Sequence, residues 1–99
     1  MNTSYVLLSG TELNKLHPNT FHIPLPDDKA AIRAGDFVKL IFDGGDTTER
    51  MWVRVTAITA EGLTGELADE PFSLDCIRFG DAVKFAYHHI VAVIPGLDH

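Results

Sequence analysis

The feature that most constrains this chain is an alternation followed by a turn. Met51, Val53, Val55 and Ala57 alternate with Arg50, Trp52, Arg54 and Thr56. A period of two marks a half-buried strand, with the odd positions facing the core. Ala60-Glu61-Gly62 supplies a turn in which Gly62 suits a left-handed position closing a three-residue loop. Leu63, Gly65 and Leu67 then alternate with Thr64 and Glu66. Such a loop pairs Thr59 with Leu63, Val55 with Leu67 and Thr56 with Glu66, so that apolar faces apolar. Glu66 then lies diagonal to Arg54, within reach of its guanidinium. The stretch Glu49–Leu67 is thus expected to be the central hairpin.

This pattern sets Trp52, the single tryptophan, on the outward face between two arginines. Burying an aromatic removes roughly 150–250 Å² from water, so a wet tryptophan is costly. Two readings follow. Either another segment, the N-terminal one first, covers Trp52 as a second small core, or Arg50, Trp52 and Arg54 receive a partner. Arginine and tryptophan are the residues that dominate binding hot spots.

Around the hairpin, 99 residues suffice for one domain with a single core. The 45% hydrophobic and 22% charged content is that of a folded globular chain. No apolar run approaches the roughly 20 residues that cross a bilayer. The start, Met1 to Leu8, lacks the basic region and apolar length of a signal peptide. Cys76 is the only cysteine, which excludes an internal disulfide and suits a reducing compartment. A cytoplasmic protein with no membrane partner is expected. The formal charge of −6 is spread along the chain, with eight lysines and arginines and no basic cluster. Nucleic acid is therefore not the expected partner.

Residues 1–9 read as an edge strand or arm. Thr11 to Leu16 reads as a short helix ended by Pro18, with Thr11 or Ser9 as its cap. Asn19 to Pro24 reads as extended chain. Pro26 to Arg33 reads as two helical turns, with proline and acids at the start and Gly35 beyond the end. Strands are expected at Phe37–Phe42, Ala82–Ala86 and Ile90–Ile94, with Val38, Leu40 and Phe42 facing in. Phe72–Arg78 reads as a loop or helical turn, and Tyr87-His88-His89 as one 3₁₀ turn.

A repeat supports this layout. Ile32-Arg33-Ala34-Gly35-Asp36-Phe37-Val38-Lys39-Leu40 returns 45 residues later as Ile77-Arg78-Phe79-Gly80-Asp81-Ala82-Val83-Lys84-Phe85. In each copy glycine permits a left-handed turn, aspartate can accept from the next backbone amides, and a strand follows. Two copies make two equivalent lead-ins to one curved sheet. The expected fold is α+β and mostly β: a small, strongly bent antiparallel sheet or SH3-like barrel with one or two short N-terminal helices. It forms a single domain over 1–99, with an N-terminal arm and short helix over 1–18, a β core over 19–94 and a tail over 95–99.

Gly35-Asp36-Phe37-Val38-Lys39-Leu40, Glu49-Arg50-Met51-Trp52-Val53-Arg54-Val55, Gly65-Glu66-Leu67 and Gly80-Asp81-Ala82-Val83 together resemble the core of a family of small bacterial proteins of unknown function. Asn19 to Pro24 also looks familial, so the resemblance covers residues 19–94. Related families are described as immunity-like proteins beside bacterial toxins, which implies a binding role with another protein, such as a toxin, as partner.

The chemistry-bearing residues point the same way. His88 and His89 are adjacent and on a strand would face opposite ways, while His17, His22 and His99 lack ligand spacing. Asp43, Asp46 and Glu49 around Gly44-Gly45 offer too few oxygens for calcium and read as a solvated turn. Cys76 lies in no catalytic signature and reads as a half-buried structural residue. Ser4, Ser9 and Ser73 sit in no nucleophile elbow. No metal, no cofactor and no catalytic residue are expected. The partner-binding candidates are Arg50, Trp52 and Arg54, with Phe21 and His22 if the N-terminal segment packs back, and Phe72 in its loop. Two alternatives stand beside a binding module: a metal-dependent or other small hydrolase using the histidines, and an accessory domain that homodimerises through an unpaired strand edge.

Overall fold

A computed structural model describes residues 5–96. Among these residues six strands form one antiparallel sheet: β1 (Val6–Leu7), β2 (Phe37–Asp43), β3 (Thr48–Thr59), β4 (Gly62–Leu67), β5 (Ala82–Phe85) and β6 (Ala92–Ile94). Two short helices, α1 (Gly10–Leu16) and α2 (Pro26–Ala30), lie between β1 and β2, and a 3₁₀ turn at Tyr87–His89 joins β5 to β6. The sheet runs β1-β2-β3-β4-β5, and β6 pairs with the other end of the same β2 edge that β1 uses. It curls into a half-barrel, the bent sheet that the alternation and glycine turns predict. The expectations for residues 1–4 and 97–99 lie outside the described residues.

The curl closes over one core. Val38, Leu40 and Phe42 from β2 meet Met51, Val53 and Val55 from β3, then Leu63 and Leu67 from β4 and Val83 and Phe85 from β5. Ile32, Leu74, Ile77 and Ile90 cap it from the connections, and Tyr5 meets Phe42 edge to face with centroids 5.0 Å apart. Each such side chain contributes roughly 1.5–3 kcal/mol by leaving water.

The central hairpin forms in a different register from the one expected. Thr59 pairs with Gly62, not Leu63, leaving Ala60-Glu61 as a two-residue loop. Val55 pairs with Gly65 rather than Leu67, and Thr56 is an extra residue between Val55 and Ala57. The bulge inverts the alternation: Ala57 is exposed, and Ile58 takes the position opposite buried Leu63. Glu66 consequently stands directly across from Arg54, not diagonal to it. Gly65 is required by a close approach, since a Cβ there would lie 2.5 Å from the Arg54 carbonyl oxygen.

The repeat becomes two matching turns. Gly35 and Gly80 have φ of 101° and 89°, which glycine adopts without a Cβ penalty. In each copy the aspartate reaches backward, not forward as the sequence suggests. Asp36 Oδ2 accepts from Arg33 N–H and Asp81 Oδ2 from Arg78 N–H, both at 2.9 Å. Gly35 N–H donates to Val55 O and Val55 N–H to Asp36 O, while Gly80 N–H donates to Leu67 O and Leu67 N–H to Asp81 O. One turn thus docks on β3 and its copy on β4. This also ends α2 at Ala30 rather than Arg33, because the Arg33 amide belongs to the turn into β2. Ser9 caps α1, accepting from Glu12 N–H.

Candidate functional site

Register defines the outward face of the sheet. Ile94, Phe37, Arg54, Glu66 and Ala82 form one row across it; Ala92, Lys39 and Trp52 form the next; Ile41 and Arg50 follow. Beyond the bulge, Ala57, Thr64 and Lys84 continue the same face. Lys39, Arg50, Arg54 and Lys84, half of the chain's eight cations, project from it; among the described acids Asp43 and Glu66 share the face, and Asp69 borders it at Trp52. The charge that looks evenly spread in the sequence is segregated in the fold.

Trp52 is half-buried at the centre of this face. The Lys39 ammonium lies 4.8 Å from its ring centroid, a cation held over a π face by cross-strand pairing. The Trp52 backbone is fixed too: its N–H donates to Asp69 Oδ2 at 2.7 Å, and its carbonyl accepts from Ala68 N–H at 2.9 Å. Arg54 meets Glu66 at 3.8 Å, with both side chains at least half exposed.

The N-terminal segment reaches one end of the face. The Arg50 guanidinium lies 5.4 Å from the Phe21 ring centroid, and the Phe21 carbonyl accepts from Asn14 Nδ2 at 2.7 Å. Ile41, the cross-strand partner of Arg50, is 3% exposed although it points away from the main core. Phe21, Arg50, Trp52 and Arg54 therefore share one surface, and Lys39 and Asp69 join them. Lys39 was legible as the residue across from Trp52 once β2 and β3 were aligned. Asp69, which follows the predicted strand, gave no such signal.

The other two candidates lie elsewhere. His22 lines a separate groove of 640 Å³ between the 22–24 stretch, α2 and β6, whose lining also includes Asp28, Arg33 and Asp36. Phe72 stands 95% exposed in the loop after β4. That loop is anchored by Glu49, whose carboxylate accepts from the amides of Phe72 (2.8 Å), Ser73 and Leu74 (2.7 Å). Burial is the largest single influence on Glu49 and raises its pKa. The three amides together outweigh it and hold the carboxyl below its ordinary range. Glu49 thus anchors a loop, a role that its place beside the polar turn does not reveal.

His88 and His89 do not face opposite ways, because they sit on the 3₁₀ turn rather than a strand. Their ring centroids are 4.0 Å apart. His89 Nδ1 accepts from Ala86 N–H at 3.0 Å, and His88 Nδ1 lies 3.2 Å from Ser9 Oγ. Burial, and then the neighbouring His88, push the His89 pKa down. Among the described residues, no three or more histidine, cysteine, aspartate or glutamate side chains group as a metal would need. Cys76 is half-buried against the core. No helix among the described residues is long and apolar enough to cross a membrane. In comparisons with protein-family models, curated proteins and solved structures, nothing matches the chain.

Proposed function

We propose that this chain is a non-catalytic protein-binding module of the bacterial cytoplasm, an immunity or antitoxin-like partner of another protein. It engages that partner through the outward sheet face centred on Trp52. The observation that carries the reading is the gathering of Phe21, Lys39, Arg50, Trp52 and Arg54 on one surface. Tryptophan and arginine are the residues that dominate binding hot spots, and Trp52, whose N–H and carbonyl are both held, loses little freedom on binding. The single cysteine supports the cytoplasmic reading, as does the family resemblance for an immunity-like role.

The test is capture from native host lysate by the wild-type chain and by Trp52→Ala, after circular dichroism shows that the variant folds. A partner held by wild type and lost by the folded variant supports the reading. Retention by the folded variant contradicts it. If Trp52→Ala unfolds, Arg50→Gln/Arg54→Gln replaces it, because both side chains are exposed.

A further inference from the structure

We infer that the partner presents an extended acidic segment in which two carboxylates flank an apolar side chain, in the order acid-x-apolar-x-acid. This rests on the binding reading above and names the chemistry its site would take. Along a strand, alternate side chains on one face stand about 6.6 Å apart, so Arg50, Trp52 and Arg54 span roughly 13 Å in the order cation, aromatic, cation. An extended segment shares that repeat. Its alternate side chains lie over the three in register, two carboxylates on the guanidiniums and an apolar group on the indole.

Charge complementarity selects the acid. Half of the chain's cations occupy this face, four against the acids Asp43, Glu66 and Asp69, so that the face is positive although the chain as a whole carries −6. Lys39, over the indole, adds a third positive group between the two arginines. The Arg54–Glu66 pair does not block the site. At 3.8 Å and half exposed it contributes at most about 1 kcal/mol, so an incoming carboxylate can take its place. Curvature selects the extended form. The core fills the inside of the curl, so this face is convex; a straight helix would touch it over a short length, whereas an extended chain follows the bend. A nucleic-acid strand is less well matched, since the fourteen acids of the chain repel a phosphate polymer beyond this small patch.

The experiment titrates the full chain with capped Asp-Ser-Leu-Ser-Asp and follows Trp52 emission, which has a single source in this protein. Controls are the Asn-Ser-Leu-Ser-Asn and Lys-Ser-Leu-Ser-Lys peptides and a ten-nucleotide oligothymidylate. The expected result is saturable binding of the acidic peptide, weakened about five-fold or more in Arg50→Gln/Arg54→Gln and reduced several-fold between 50 and 500 mM salt, concentrations that span a large change in screening. Equal binding of the neutral peptide overturns the inference, as does preference for the oligothymidylate. If no peptide perturbs Trp52 while a host protein is still captured through the same face, the acidic segment is wrong and the binding reading survives. If capture also fails, both fall.

Discussion

The ammonium of Lys39 lies 4.8 Å from the centre of the Trp52 ring, and the two residues are cross-strand partners. The pairing lets a half-exposed tryptophan persist on the outward face, because the lysine stem covers part of the ring while its charge meets the π cloud. Lys39→Ala should therefore shift Trp52 emission to the red and raise its quenching by acrylamide. Stability should fall by only about 0.5–1 kcal/mol. Unchanged quenching in the variant would show that Lys39 does not cover the ring.

Glu49 is expected to matter more than its place beside a polar turn suggests. Glu49→Ala removes the acceptor for three consecutive amides, and solvent access limits the loss to about 1–3 kcal/mol. Cleavage in the 70–75 loop by added protease should rise, since that loop carries exposed Phe72. The carboxyl titrates below its ordinary range when folded, so its contribution is complete above the unfolded value of 4.5 and fades as pH falls through the folded one. Equal acid unfolding profiles for wild type and Glu49→Ala would contradict the anchor.

The two repeat aspartates are chemically alike and should differ in cost. Asp36 is 6% exposed and also accepts from Gly96 N–H through Oδ1 at 2.9 Å, whereas Asp81 is exposed. Asp36→Ala removes a buried carboxylate that accepts from two partly buried amides and should cost about 2–4 kcal/mol, and Asp81→Ala about 1 kcal/mol. Urea unfolding of the two variants measures the difference. A larger loss at Asp81 would mean that the first copy is not the better-buried turn.

His89 supplies a second acid-sensitive point in a separate pH window. Its Nδ1 accepts from Ala86 N–H, so protonation there removes an acceptor and sets a cation beside the His88 ring. Its folded pKa is below the unfolded value of 6.5, so the favourable contribution is full above 6.5 and is lost as pH falls through the folded value. Wild type should lose stability on going from pH 7.5 to 5.5, and His89→Asn should lose less. A proton-NMR titration placing the His89 midpoint at or above 6.5 would sink this explanation.

These residues also show what was readable in advance. Met51, Val53 and Val55 gave the central strand, and the two Gly-Asp copies gave the matching turns, because both signals are local. The hairpin register was not local. Adding Thr56 as a bulge and shortening the loop to Ala60-Glu61 changed every pair while leaving the apolar set nearly intact. Period alone therefore could not separate the two alignments beyond Val55. Glu49 reaches amides 23 to 25 residues away, a distance at which no spacing rule applies. His22 follows Phe21 in an extended stretch, and only one of the two reaches Arg50.

The central claim, that the Trp52 face is where this chain meets its partner, is tested most directly by fluorine NMR. The chain incorporates 5-fluorotryptophan and gives one resonance, from Trp52. Adding the unlabelled host protein captured by the wild-type chain should shift or broaden that resonance in proportion to the bound fraction. Complete binding with the Trp52 resonance unmoved would contradict the account.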